Sequence, residues 1–246
     1  MKKNGFLKGV ADLLFPVTCP VCGDVVVPKG RRICSDCKKM LPYLKGPACL
    51  KCGKPVAFPT DEYCDACLGR ERSFDRSASV FEYNTLMQRM IGDYKFRNRK
   101  DFALFFSDEL ETGFKNHFTG EGIQALVPVP IHASRKRFRG YNQSAILCGE
   151  LSKRLDIPVY GCLVRHKKTV PQKTLDAAER RKNLQDAMSF VEPEDFLSAG
   201  YKPKKVLIVD DIYTTGATAE ACAEILKENG IEKVFVLSIA TGNKTN

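Results

Sequence analysis

Eight cysteines fall into four CxxC pairs: Cys19, Cys22, Cys34 and Cys37, then Cys49, Cys52, Cys64 and Cys67. In each set eleven residues separate the two pairs, and the second set repeats the first thirty residues later, an internal duplication. A CxxC turn offers two sulfurs to one ion, and a second such turn completes a closed tetrahedral site of four thiolates, which suits Zn²⁺. Iron fits the same four thiolates, because spacing does not choose the element. Spacing also leaves the pairing open. Each repeat can close its own ion, or the two leading pairs can share one ion and the two trailing pairs another. Thiol exchange does not explain four pairs at duplicated spacing, and no export signal points to a disulfide framework.

Gly23 and Gly53 each follow the second cysteine of a leading pair, where a glycine lets the turn take positive φ around the metal. The whole of residues 19–70 resembles a double zinc ribbon with two structural ions. Apolar residues are sparse among these cysteines, so metal binding supplies much of the folding free energy and chelation is expected to unfold the segment. Cys148, Cys162 and Cys222 stand alone and read as small buried side chains.

A chain of 246 residues has room for one α/β domain beside such a module. Its formal charge of +10 overstates the folded protein's charge, since two ions held by four thiolates each contribute about −2 apiece and leave roughly +6. A basic balance suits phosphate-bearing partners, small phosphosugars or nucleic acid, without separating them. No run reaches the length of a membrane span, and a cytoplasmic location is expected. In residues 1–18, Phe6, Leu7, Val10, Leu13 and Leu14 fall on one helical face, with Lys2, Lys3 and Lys8 opposite. That amphipathic helix either packs on the neighbouring domain or makes a weak contact with an anionic membrane surface.

From residue 73 to 246 the pattern changes to alternating strands and helices. Strands are predicted at 78–83, 123–129, 187–191, 205–209 and 234–239, and helices most clearly at 143–155 and 217–229. Such alternation gives a mainly parallel sheet with helices on both faces, and ligands of such sheets sit beyond the carboxyl ends of the strands.

One strand end carries the most specific chemistry. Residues 206–218 read VLIVDDIYTTGAT: a buried apolar strand, two acids, then a Thr- and Gly-bearing turn into a helix. Backbone N–H groups of that turn, the hydroxyls of Thr214, Thr215 and Thr218, and the helix start would cradle a phosphate, with Gly216 permitting close approach. Asp210 and Asp211 could accept hydrogen bonds from adjacent ribose hydroxyls and stabilise positive charge developing at C1 as pyrophosphate leaves. All thirteen positions resemble the motif with which type I phosphoribosyltransferases bind 5-phosphoribosyl-1-pyrophosphate (PRPP). A P-loop is excluded, since no GKS or GKT follows.

Two further stretches suit the same ligand. Residues 130–144, PIHASRKRFRGYNQS, place Arg135, Lys136, Arg137 and Arg139 in one loop that could hold pyrophosphate and its Mg²⁺, or else contact solvent or nucleic acid. Residues 165–190 are polar and basic, and read as a lid over PRPP or as an exposed surface helix.

RFRGYNQ at 137–143, the pattern Arg165, Thr169, Gln172, Leu175, Arg180 and Asn183, and VLIVDDIYTTGAT together resemble the ComF family of late competence proteins, over nearly the whole chain. The resemblance implies a type I phosphoribosyltransferase fold behind the double zinc ribbon. It implies PRPP contacts at Asp210, Asp211, Thr214, Thr215, Gly216, Ala217 and Thr218, and catalytic roles for Asp210, Asp211 and Arg180 if the chain is active. Pyrophosphate or lid roles then fall to Arg137, Arg139, Asn142, Gln143, Gln172 and Asn183. It further implies support of natural transformation, with single-stranded DNA and proteins of the uptake apparatus as partners.

The chain ends about six residues after its last predicted strand, so no C-terminal hood for an acceptor base is expected. An acceptor pocket would come from residues 84–122, which include YKFRNRK at 94–100, or from the ribbons. Alternatively PRPP is a regulatory ligand with no acceptor, and Tyr94, Phe96, Phe138 and Tyr141 among the basic residues serve as stacking platforms or as core.

Overall fold

The computed structural model describes residues 16–166 and 186–242. The expected N-terminal helix, and Gln172, Arg180 and Asn183 with most of the lid segment, lie outside the described residues.

Each cysteine repeat folds as the duplication requires, down to its hydrogen bonds. Cys19 N donates to Asp24 O and Gly23 N to Cys19 O, and thirty residues on Cys49 N donates to Lys54 O and Gly53 N to Cys49 O. Both glycines take positive φ, +84° and +69°. A short helix, α1 (Ser35–Lys39), begins just after Cys34 and carries Cys37.

The remaining chain builds a four-stranded parallel sheet from β1 (Arg76–Glu82), β2 (Ala125–Pro128), β5 (Lys205–Tyr213) and β6 (Lys233–Thr241), in the order β1-β6-β5-β2. Alternation along β5 divides the core. Leu207 and Val209 join the apolar cluster on one face, while Val206 and Ile208 join the cluster on the other. Helices α2 (Thr85–Phe96), α3 (Phe102–Phe118) and α5 (Gln143–Leu155) cover the first face, and α7 (Ala217–Glu228) covers the second. A two-stranded antiparallel ribbon of β3 (Leu163–Arg165) and β4 (Met188–Phe190), with the short α6 (Glu194–Ser198) after it, completes the described elements.

Both outer edges of the sheet are covered by backbone. Residues of the cysteine module line β1: Leu44 N donates to Val80 O, Glu82 N to Pro42 O, and Ser77 N to Lys51 O. On the far side Leu126 N donates to Pro158 O and Tyr160 N to Leu126 O, which closes β2. Among the described residues, both edges of this sheet are thereby screened from pairing with another chain.

Two expectations need correcting. The Arg- and Lys-bearing stretch after β2 is not a loop but a helix, α4 (Ala133–Arg139). His132 Nδ1 accepts from Ser134 N at 3.1 Å to start it, and Gly140, at φ +79°, ends it. The strand expected to stop at Val209 continues to Tyr213, because β6 pairs with it as far as Thr241. Residues 84–122 form two helices, and α3 commits Phe102, Phe105, Phe106 and Leu110 to the core.

Candidate functional site

β2 stops pairing with β5 at Val209, whereas β6 follows β5 for four residues more. Beyond Val209, therefore, β5 has a neighbour on one side only. Asp210 and Asp211 stand past the end of the β2 pairing, at the carboxyl end of the parallel sheet, which is the place of the ligand crevice in such folds. Asp211 meets Lys95 of α2 at 2.7 Å, with 13% and 16% of the two side chains exposed. Asp210 Oδ1 accepts from Asp211 N at 2.8 Å and from Ser144 Oγ, in the first turn of α5, at 3.4 Å. Burial, and next the charge of Asp211, push the Asp210 carboxyl up to about 7. Two carboxyl groups at one strand end, one titrating near neutrality and one paired with a lysine, have the chemistry to bind hydroxyls.

After β5 the chain turns through Thr214 and Thr215 to Gly216, at φ +80°, and enters α7. A Cβ at Gly216 would stand 2.3 Å from the Tyr213 hydroxyl oxygen, so a glycine is required. The N-cap is Gly216, which has no side chain to cap the helix, and Ala217 N donates a long hydrogen bond to Thr215 Oγ1 at 3.5 Å. The N–H groups at a helix start are the ones that can receive an anion, and Thr214 and Thr218 stand half-buried beside this one.

The basic segment meets this crevice from the other side. Asn142 accepts from Ser144 N and donates through Nδ2 to Val129 O, which fixes the start of α5 to the end of β2. Arg139 donates to Gln143 Oε1 at 3.1 Å and lies over the Phe96 ring at 4.7 Å. Burial lowers the Arg139 pKa, and the Asp211 charge works against that shift. Tyr94 donates to Gln143 O at 2.9 Å, and the Tyr141 hydroxyl donates to Tyr94 O. Arg139, Asn142 and Gln143 are thereby built into the wall of the crevice, while Arg135, Lys136 and Arg137 are exposed. Arg165 of β3 is half-buried within electrostatic reach of Arg135 and Asp210.

Of the aromatic residues beside these cations, Tyr94 and Tyr141 are core, whereas Phe96 and Phe138 are 59% and 79% exposed. Nothing in the sequence marked Lys95 as the partner of Asp211. It is one cation in a basic run, and only the packing of α2 against β5 brings it to Asp211.

The cysteines gather as two separate sets, Cys19, Cys22, Cys34 and Cys37, and Cys49, Cys52, Cys64 and Cys67, so each repeat closes its own site. Within each set the sulfurs lie within 4.8 Å of one another, with Cys22 to Cys34 at 3.8 Å and Cys52 to Cys64 at 3.5 Å. A tetrahedron with metal–sulfur bonds of about 2.3 Å has edges of about 3.8 Å, so both sets fit a four-thiolate Zn²⁺. Cys148, Cys162 and Cys222 are fully buried.

The double zinc ribbon domain family matches residues 10–68, and the phosphoribosyl transferase domain family matches residues 142–245. Competence protein F of Haemophilus influenzae is 30% identical over 213 residues, covering 85% of this chain and 90% of its own length. The chain belongs to the ComF family. Its domain behind the two Cys₄ sites has the type I phosphoribosyltransferase fold, in keeping with the parallel sheet and its two helical layers. Among other ComF relatives, competence protein ComFC of Bacillus subtilis is 26% identical, over 81% of this chain and 79% of its own. The DNA utilization protein YhgH of Salmonella typhimurium is 29% identical, over 91% of this chain and 96% of its own. Among the described residues no helix is long and apolar enough to cross a membrane.

Proposed function

We propose that this ComF protein binds PRPP with Mg²⁺ in the crevice at the end of β5 and serves the handling of DNA during competence. The observation that carries the reading is the pairing of a glycine-started α7, reached through Thr214 and Thr215, with two carboxylates on the preceding strand. Gly216, Ala217 and Thr218 would take the 5-phosphate, with Thr214 and Thr215 beside them, and Asp210 and Asp211 would take the ribose hydroxyls. Arg137 and Arg139 would supply positive charge toward pyrophosphate, with Asn142 and Gln143 holding that wall in place. Mg²⁺, carried in with the ligand, would offset the pyrophosphate charge. Gln172, Arg180 and Asn183 would close over the ligand. The relatives named for competence and DNA utilization support the cellular role.

Calorimetric titration of the zinc-loaded protein with PRPP and Mg²⁺ tests this directly. Wild type is expected to bind, and Asp210→Asn/Asp211→Asn to lose at least about tenfold in affinity, the scale of one charge-assisted contact. Pyrophosphate release in the same samples separates a transferase from a PRPP-responsive binding protein. Folded wild type that takes up no heat at millimolar PRPP ends the PRPP assignment.

Exposed Phe96 and Phe138 among Arg97, Arg135, Lys136 and Arg137 support a second role, stacking of single-stranded DNA. Phe138→Ala/Arg137→Ala is expected to weaken oligonucleotide binding about tenfold in fluorescence anisotropy and to reduce its salt dependence. An unchanged salt slope would remove this surface from the reading. Lys95 does not belong in that test, since its ammonium is held by Asp211.

A further inference from the structure

Arg72 lies in the connection between the last cysteine of the second ribbon, Cys67, and β1. Its side chain is 14% exposed and lies between two negative groups. On one side are the Cys67 sulfur and, through an Nη2 donor at 3.4 Å, the carbonyl of Ala66. On the other, Nη1 stands 3.9 Å from Oε2 of Glu220, whose side chain is 6% exposed in the first turn of α7. Glu220 Oε1 also accepts from Ser73 N and Ser73 Oγ, both at 2.8 Å.

Next to Ser73, Phe74 meets Tyr213 edge-on, with ring centroids 6.2 Å apart, and Tyr213 is the ring against which Gly216 closes. Cys49, Cys52 and Cys67 share one apolar cluster with Phe74, Tyr213 and Ala219. Cys19 and Cys37 of the first ribbon pack instead into the opposite core, with Phe81 and Phe105. Only the second cysteine site therefore adjoins the turn between β5 and α7 among the described residues.

Electrostatics gives this contact a direction. A four-thiolate site with one divalent ion keeps a charge of about −2. Glu220 adds a carboxylate at the same helix end that would receive a phosphate, where it opposes the incoming anion. A guanidinium placed between the two groups offsets the Glu220 charge across 3.9 Å, while Ser73, next to Arg72 in the chain, holds Glu220 by two hydrogen bonds. We propose that Arg72 is a positioning residue that couples the second cysteine site, and not the first, to the phosphate loop and so sets that loop for a phosphate-bearing ligand. The proposal rests on reading Gly216 to Thr218 as that loop.

The test is hydrogen–deuterium exchange on the full-length zinc-loaded protein, paired with titration by PRPP and Mg²⁺. Arg72→Gln is expected to raise amide exchange at residues 214–219 about fivefold or more, with exchange in the first ribbon unchanged, and to weaken PRPP by a similar factor. In Arg72→Gln/Glu220→Gln the amide still accepts from Ser73 and the charge imbalance is gone, so PRPP affinity is expected to recover. Glu220→Gln alone, which leaves Arg72 in place, is expected to tighten PRPP about threefold and keeps the test open if Arg72→Gln fails to fold. Unchanged exchange at 214–219 in Arg72→Gln, or weaker binding in Glu220→Gln, overturns the coupling. Raised exchange in a protein whose wild type binds no PRPP sustains the coupling and sinks the ligand assignment instead.

Discussion

Asp210 stands between burial, which favours its protonated form, and Lys95, which favours the charged one, and burial together with Asp211 prevails to bring its pKa to about 7. A carboxyl raised in the folded state contributes stability that is full below its ordinary range and is lost as pH rises through the folded value. The ligand-free protein is therefore expected to lose stability between about pH 4 and pH 7, and Asp210→Asn to remove most of that slope, gaining about 1–2 kcal/mol at pH 8. Denaturant titrations of both proteins across this window check the sign; a wild type that grows more stable toward pH 8 contradicts it. Lys95 shows where residue-level reading fails. In the run 94–100 it is indistinguishable from Arg97 or Lys100, yet Lys95 faces Asp211, Arg97 pairs with Asp93, and Lys100 lies over Tyr141.

Among the elements, the duplicated cysteine turns give the sharpest contrast between equal sequence and unequal place. Gly23 and Gly53 occupy the same position with positive φ, but a Cβ at Gly23 meets nothing within 4 Å while one at Gly53 would stand 2.4 Å from Ser77 O. Gly23→Ala is expected to cost about 1 kcal/mol, the backbone strain alone. Gly53→Ala adds a backbone clash and is expected to cost about 3 kcal/mol and to release the Ser77 amide that donates to Lys51 O. Thermal melts and exchange at Ser77 check both; equal losses in the two variants would show that the second turn does not bear on β1. The duplication was legible because metal spacing is local. Docking on β1 was not, since CPVCG and CLKCG carry no mark of which one meets a strand.

For the molecule as a whole, the ribbons are part of the sheet's boundary. Residues 42–44 and 51 cover the outer edge of β1, and Tyr43 adds a hydrogen bond to Glu109 of α3 at 2.9 Å. Removing the metals is expected to unfold residues 19–70, since the eight thiols then lose the ions that would hold each repeat closed. The bared edge of β1 is then expected to drive self-association. Light scattering after treatment with a strong zinc chelator should show larger species, reversed by added zinc; an unchanged mass with lost ribbon protection would mean that the edge is covered by something else.

Chemistry carried by neighbours in the chain was readable without a fold: four CxxC pairs, a strand of four apolar residues ending in two acids, and a Thr- and Gly-bearing turn into a helix. Each depends on spacing over a few residues, where covalent geometry limits the outcomes. Tertiary structure decided what depends on packing between distant segments. It closed each cysteine repeat on itself, brought Lys95 to Asp211, and turned the basic stretch 133–139 into a helix walled against Phe96. It also let β5 outrun β2, so that the acids stand past the end of that pairing. Strand register and helix docking are set by the whole core at once, and no short window of sequence contains that sum.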